Sequence, residues 1–303
     1  MRIVVSGGTG YVGRFIVDDL VAAGHAVRVM ARTAPPVGAL PSGVDFVAGT
    51  LDPDIDQSAA FEGMDGFVHA AFDHVPGRYR GGEGDDPNGF RHRNLDGTVA
   101  LFEAAKRAGV GRVVFLSSRA AYGTQAPGRV LDEAVVAHPD TVYGQVKHAA
   151  ERALDMLADD RFLGISLRVT GVYGQAAAGR LHKWSGLIEE YLAGTPIAPR
   201  VATEVHGRDV AAAVRMLLAV DAARLEDRLF NVSDLVLDRR DLLSIVRTLT
   251  NCAHPLPDRA DAASLNVMST QRLSALGWRP GGRNLLQETI AALPEVRPAI
   301  PQL

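Results

Sequence analysis

The sequence predicts a doubly wound parallel α/β sheet carrying a smaller C-terminal lobe. Three observations predict it. Short, nearly all-apolar runs rich in β-branched residues alternate with helical patterns over the first 170 residues, a glycine-rich turn follows directly on the first run, and beyond residue 171 the alternation yields to helix-like segments and proline-bearing loops. Such runs suit parallel strands covered on both faces, and strand-helix alternation is the pattern of an open parallel sheet.

In chain order the strand runs are "RIVVS" (2–6), "AVRVMA" (26–31), "VDFVAG" (44–49), "GFVHAA" (66–71), "RVVFLSS" (112–118) and "GISLRVTG" (164–171). Helical patterns cover about 11–23, 90–108 and 143–158 between them. The C-terminal lobe, 171–303, contains "KWSGLIEEYLAG" and "RRDLLSIVRTLT", with loops at 196–199 and 255–257, and the chain is expected to return to the large sheet at about 206–232. The polar, glycine-rich segment 76–89 has no periodicity and reads as a long loop after the fourth strand, within a 72–91 region that is a candidate lid or plain surface.

Composition narrows the function classes. A chain of 303 residues, 47% hydrophobic and 22% charged, can bury a full core. Its net charge of −3 and scattered basic residues exclude the footprint of a nucleic-acid binder. No apolar run approaches the ~18 residues of a membrane span, and a strand beginning at residue 2 leaves no space for a signal peptide. The single cysteine, Cys252, offers no intramolecular disulfide, and no Cys/His cluster has metal-ligand spacing, so a cytoplasmic protein without a metal is expected.

"SGGTGYVGR" (6–14) places Gly7, Gly10 and Gly13 between the first strand and first helix. These glycines serve a tight turn, close approach to a pyrophosphate, and helix-sheet packing, while the helix N-terminus presents N–H groups to phosphates. A dinucleotide-binding Rossmann fold is therefore expected, with Tyr11 and Val12 in the first helical turn and Ala70 in the fourth run joining the cofactor set. Cofactor choice is read at the end of the second strand, where a carboxylate would accept from a free ribose. Here "VMARTAPP" supplies Ala31 and Arg32 instead, and Arg32 suits a 2′-phosphate, so NADP is favoured over NAD. Leu51 or Asp52, after the third strand, is placed at the adenine.

The chemistry is read from "TVYGQVKHAAERAL" (141–154). Six Tyr and three Lys in 303 residues give a chance expectation of roughly 0.06 for a Tyr with Lys at i+4. On a helix the two share a face, so the Lys147 ammonium favours the Tyr143 phenolate and Tyr143 can act as acid or base. Ser117 and Ser118 at the end of the fifth run are candidates to hold the reacting oxygen, and strand alternation admits only one of them.

Taken together, these residues resemble the extended short-chain dehydrogenase/reductases, the NAD-dependent epimerase/dehydratase family. The resemblance runs through "GGTGYVG", "HRNLDGTVALFEAA", "VVFLSSRAAYG", "DEAVVAHPDTVYGQVK", "LRVTGVYG", "VHGRDVAAAV", "FNVS" and "STQRLSALGWRP". It implies Ser118 as the substrate-holding hydroxyl, Tyr143 as acid/base and Lys147 as its partner and ribose ligand. It further implies that Asn94 helps to hold the active-site helix and counts with the cofactor set, that Arg168 and Tyr173 lie along the nicotinamide side, and that His206 and Asp209 are structural. It admits a homodimer built from two helices on the sheet's outer face.

Two departures narrow the reaction. The Asp-Glu pair that follows the hydroxyl residue in dehydratases is replaced by Arg119 and Ala120, against dehydration. The stretch before His206, where epimerases carry a diphosphate-gripping Arg, reads Ala202, Thr203, Glu204, and Glu204 is expected to repel a diphosphate unless Arg200 or Arg180 substitutes. Arg119 and the arginines of 78–93 could meet an anionic or polyhydroxylated substrate, or form a solvated face. The leading expectation is an NAD(P)-dependent oxidoreductase acting on a secondary alcohol or ketone of a sugar-like or small metabolite. The alternatives are a nucleotide-sugar epimerase that retains NAD, and a non-catalytic sensor of the nicotinamide redox state, against which the Ser118, Tyr143 and Lys147 set argues.

Overall fold

Strand β1 (Arg2–Ser6) is the third strand of a seven-stranded sheet in the computed structural model, which describes residues 1–75, 81–175, 181–225 and 227–297. Its neighbours are β2 (Ala26–Ala31), followed by β3 (Asp45–Ala48), on one side, and β4 (Gly66–His69), β5 (Arg112–Ser118), β6 (Leu163–Val169) and β9 (Leu229–Val232) on the other. Every pairing in this sheet is parallel. The order therefore reverses between β1 and β4, which opens a crevice at their carboxyl ends, where ligands bind in such sheets.

Alternation along the strands builds two separate cores. Ile3 and Val5 of β1 join Val114 and Leu116 of β5 beneath helices α1 (Tyr11–Ala22) and α6 (Gly207–Ala219). Val4, Val113 and Phe115 point the other way, against α3 (Gly97–Arg107) and α4 (Val142–Leu157). Both faces are thus dry, as the apolar runs require. The 44–49 run departs from that expectation: Asp45, Phe46 and Ala48 are exposed, because β3 is the edge strand with a neighbour on one side only.

The run at 164–171 breaks at Thr170, and the chain leaves the large sheet as β7 (Gly171–Tyr173). Strand β7 pairs in parallel with β8 (Val201–His206), which pairs antiparallel with β10 (Leu235–Asp238), forming a small mixed sheet. Around it pack α5 (Ser185–Leu192), α7 (Arg239–Thr250) and α9 (Gly282–Ala291), which follows the short α8 (Gln271–Ala275). Their shared core includes Tyr173, Trp184, Ile188, Leu243 and Ile290. Helix α7 starts where Asp238 accepts from Arg240 N at 2.7 Å and stops at Asn251, whose φ of 55° is left-handed.

The second helical pattern, expected from residue 90, begins earlier than its periodicity indicates. Asp86 accepts from Gly89 N at 2.8 Å and Pro87 stands in the first turn, so α2 (Pro87–Arg91) takes residues expected to be loop. A π-helical turn at His92–Asp96 joins α2 to α3. Residues 76–80 of the expected lid, and Arg180, lie outside the described residues.

Candidate active site

The crevice at the β1/β4 reversal continues as one cleft of about 1120 Å³, from the glycine turn to the small sheet. Gly7, Gly10, Tyr11, Val12 and Gly13 line one end of it, with Arg32, Leu51 and Ala70 on the neighbouring strand ends. Gly7 has φ 71°, and a Cβ there would stand 2.6 Å from Ala71 N. A Cβ at Gly13 would collide with the Gly7 carbonyl, and one at Gly10 would approach that oxygen to 3.0 Å. Such a cradle admits only glycine and leaves the N-terminus of α1 facing the cleft, so these residues fit the pyrophosphate of a dinucleotide.

Arg32 is exposed and reaches Asp73 at 3.5 Å, while Arg93 Nε donates to the same carboxylate at 2.8 Å. Asn94, in the π-helical turn, is buried and lies off the cleft. It clamps the backbone of Asp73 instead: Asp73 N donates to its Oδ1 and its Nδ2 donates to Asp73 O, both at 2.7 Å. Its place in the cofactor set is therefore corrected to that of a residue fixing the loop after β4.

The two serines of β5 separate as alternation demands. Both line the cleft, but Ser117 donates to the buried carboxylate of Glu151 on α4, whereas Ser118 Oγ accepts from Ala120 N at 3.1 Å. Helix α4 is started by Thr141, whose Oγ1 accepts from Gly144 N at 3.1 Å. Gly144 packs where a Cβ would strike the Ala120 carbonyl, bringing the first turn of α4 against the residues after Ser118. Tyr143, in that turn, packs edge-on against Phe72 with ring centroids 5.0 Å apart.

Lys147 is buried, donates to Leu116 O at 2.7 Å, and lies over the rings of Phe72 and Phe115 at 4.5 and 4.8 Å. Burial lowers its ammonium to about 7, opposed by the anionic Glu151 one turn further along α4. Beneath the cleft floor Ser6 Oγ meets His69 Nδ1 at 2.6 Å and His69 Nε2 meets Thr98 Oγ1 at 2.9 Å. Thr98 spends its one proton on Asn94 O, so His69 Nε2 donates to Thr98 and Nδ1 accepts from Ser6. This neutral tautomer agrees with burial holding His69 at about 3.

Arg168 and Tyr173 are the expectations that geometry corrects, since neither lines the cleft. Arg168 is in register with Ser117 on the neighbouring strand, so both side chains leave the sheet on one face and meet Glu151. Its Nε and Nη2 donate to Glu151 at 3.0 and 2.7 Å, and its guanidinium lies 4.3 Å from the Tyr122 ring centroid. Tyr173 is buried against Trp184, with stacked centroids 5.1 Å apart. His206 caps α6 by accepting from Arg208 N at 3.0 Å, and Asp209, raised to about 6 chiefly by burial, accepts from Gly281 N at 3.1 Å. Among the described residues no group of His, Cys, Asp and Glu could hold a metal, and no helix is long and apolar enough to cross a membrane.

Three residues that sequence reading missed matter here. Glu151 follows Lys147 by the same four-residue step that links Lys147 to Tyr143, a signal present in the sequence. Lys183 lines the far end of the cleft and holds Glu204, and its signal was the rarity of lysine. Phe72, the apolar wall shared by Tyr143 and Lys147, carried none.

Residues 3–233 match the family described as the NAD dependent epimerase/dehydratase family. The chain belongs to that family. Among its relatives, UDP-glucose 4-epimerase of Streptomyces lividans is 29% identical over 325 residues, covering 94% of this chain and 93% of that protein. UDP-glucose 4-epimerase of Corynebacterium glutamicum is 27% identical over 313 residues, covering 92% and 91%. The crystal structure of Thermus thermophilus UDP-glucose 4-epimerase in complex with NAD superposes with a TM-score of 0.77 at 27% identity, over 99% of this chain and 100% of that one. An enzyme built on a Rossmann sheet with a small C-terminal mixed sheet is thereby established for this family member.

Proposed function

We propose that the protein is a nucleotide-sugar epimerase, which inverts one secondary carbinol carbon by oxidising it to a ketone and reducing it from the other face. The observation that carries this reading is the single cleft in which the glycine turn, Ser118, Tyr143 and Lys147 meet, in a chain that aligns end to end with UDP-glucose 4-epimerases. Net hydride transfer, the leading expectation from sequence, takes second place on that similarity.

A bound nicotinamide dinucleotide supplies the hydride acceptor and donor. Ser118 would hold the reacting oxygen by a hydrogen bond. Tyr143 would take the hydroxyl proton on oxidation and return it on reduction. Lys147, fixed by the Leu116 carbonyl, would keep positive charge beside the phenol and favour its anionic form. Phe72 shields that charge from water on one side, which strengthens the interaction.

One observation favours the second reading, a net NADP-linked oxidoreductase: Arg32 stands on the cleft where an NAD-specific site would carry a carboxylate. The two readings separate in one experiment. Purified protein given UDP-glucose or UDP-galactose without added cofactor is followed by NMR, after mass spectrometry of any cofactor that copurifies. Interconversion with retained NAD or NADP supports the epimerase; no interconversion, together with stoichiometric NADPH consumption by a ketone, replaces it with the oxidoreductase.

A further inference from the structure

Among the described residues the cleft is lined by one carboxylate, Asp73, and by five cationic side chains, Arg32, Arg93, Arg119, Lys147 and Lys183, in a chain of net charge −3. The cations fall into distinct places. Arg32 and Arg93 share Asp73 beyond β2 and β4, Lys147 is buried beside Tyr143, and Lys183 stands at the opposite end, on the turn before α5.

Lys183 rests in a built socket. Its Nζ is bound by Glu204, which is buried on β8, the central strand of the small sheet. Gly171 on β7 is the register partner of Glu204 and itself lines the cleft. A Cβ on Gly171 would stand 2.8 Å from Glu204 Oε2 and 3.0 Å from Lys183 Nζ. The absent side chain is what lets the ion pair reach past β7 to the cleft wall.

The pair is oriented. Lys183 faces the cleft and keeps 31% of its side chain exposed, whereas Glu204 lies behind it and off the cleft. A ligand therefore meets the ammonium before the carboxylate, and Coulomb attraction to the nearer charge outweighs repulsion from the farther one. An ammonium has three donors, of which Glu204 engages one, and the tether removes much of the rotamer entropy a free lysine would lose on binding. Glu204, expected from sequence to repel a diphosphate, instead positions a cation.

We infer that Lys183 binds the phosphate oxygens of the substrate's diphosphate, with Glu204 as the positioning residue behind it. This rests on the nucleotide-sugar reading and supplies it with an anion-binding residue that Ala202, Thr203 and Glu204 do not offer and that Arg200, off the cleft, does not provide.

The test is calorimetric titration of the wild type, Lys183→Met and Lys183→Gln with UDP and with uridine, each variant checked for NADPH binding as evidence of folding. Wild type is expected to bind UDP more tightly than uridine, with an affinity for UDP that falls as salt rises. Each variant is expected to lose roughly ten- to a hundredfold in UDP affinity, the range for a charge-assisted hydrogen bond, with uridine binding unchanged. Variants that bind UDP like wild type overturn the assignment while leaving the nucleotide-sugar reading intact. A wild type that binds NADPH but no UDP overturns both.

Discussion

Lys147 and Lys183 line the two halves of one cleft, yet their surroundings give them different work. Lys147 is buried against two phenyl rings and donates to a neutral carbonyl, while the nearest carboxylate, Glu151, is already engaged by Ser117, His148 and Arg168. Lys183 is partly exposed and is paired with the carboxylate of Glu204. The first arrangement lowers the ammonium to about 7, over the Phe72 ring that also packs against Tyr143. The second holds an ammonium on the cleft wall, where a ligand can reach it. What a lysine contributes here follows from how its counter-ion is shared and how much water it keeps.

Tyr143→Phe tests the Lys147 half most severely. Turnover should fall by about 10²–10⁴-fold, the usual worth of a general acid/base, while cofactor affinity measured by nicotinamide fluorescence is preserved. Loss of cofactor binding alongside turnover would make Tyr143 a binding residue.

Glu151→Gln should come next in size, because it leaves Arg168 buried without its anion, a loss of about 3–5 kcal/mol in urea unfolding. It also sharpens the comparison between the two lysines. Glu151 raises the Lys147 ammonium, so removing its charge moves the point of deprotonation down and shifts the alkaline limb of the pH–rate profile to lower pH. Glu204→Gln, behind the other lysine, should leave that limb in place. A limb that moves in both variants, or in neither, would erase the distinction.

His69 gives a third measure of burial. Its folded form takes a proton only near pH 3, whereas the unfolded chain takes it near 6.5, so the unfolded state binds more protons between those values. Stability should be complete above about pH 6.5 and fall by up to ~1.4 kcal/mol per pH unit as pH drops toward 3. Thermal melts of His69→Gln, which keeps a donor and an acceptor, should show a flatter dependence over this window.

The smallest effect is expected at the exposed pair Arg228–Asp155, whose 2.7 Å contact is shorter than several others in the molecule. Arg228→Ala should cost less than about 1 kcal/mol in the same urea assay, since water screens both charges. A cost comparable to that of Glu151→Gln would mean that contact distance, rather than burial, governs these pairs.

What could be read from sequence was whatever local geometry determines. The step from Tyr143 to Lys147 is one helical turn, and the turn at Gly7, Gly10 and Gly13 is set by φ and by missing Cβ atoms within a few residues. The apolar runs located six strands of the large sheet, with β3 less buried because of its edge position. Arg168 was misplaced for a nonlocal reason: its partner is decided by the register of β6 on β5 and by the docking of α4 across both. Asn94 looked like a cofactor or helix residue because its real partner, Asp73, lies 21 positions away in a loop without periodicity. Lys183 and Glu204 meet only because β7 leaves the main sheet at Thr170 and presents a glycine between them.

The most direct test of epimerisation at this site follows deuterium. UDP-galactose deuterated at the carbinol carbon is incubated with the protein and unlabelled NAD(P), and both sugar and cofactor are analysed by mass spectrometry. Inverted sugar that keeps its deuterium, with none in free reduced cofactor, is the expected result. Deuterium accumulating in free reduced cofactor beside a ketone product would contradict it and make the protein a net oxidoreductase.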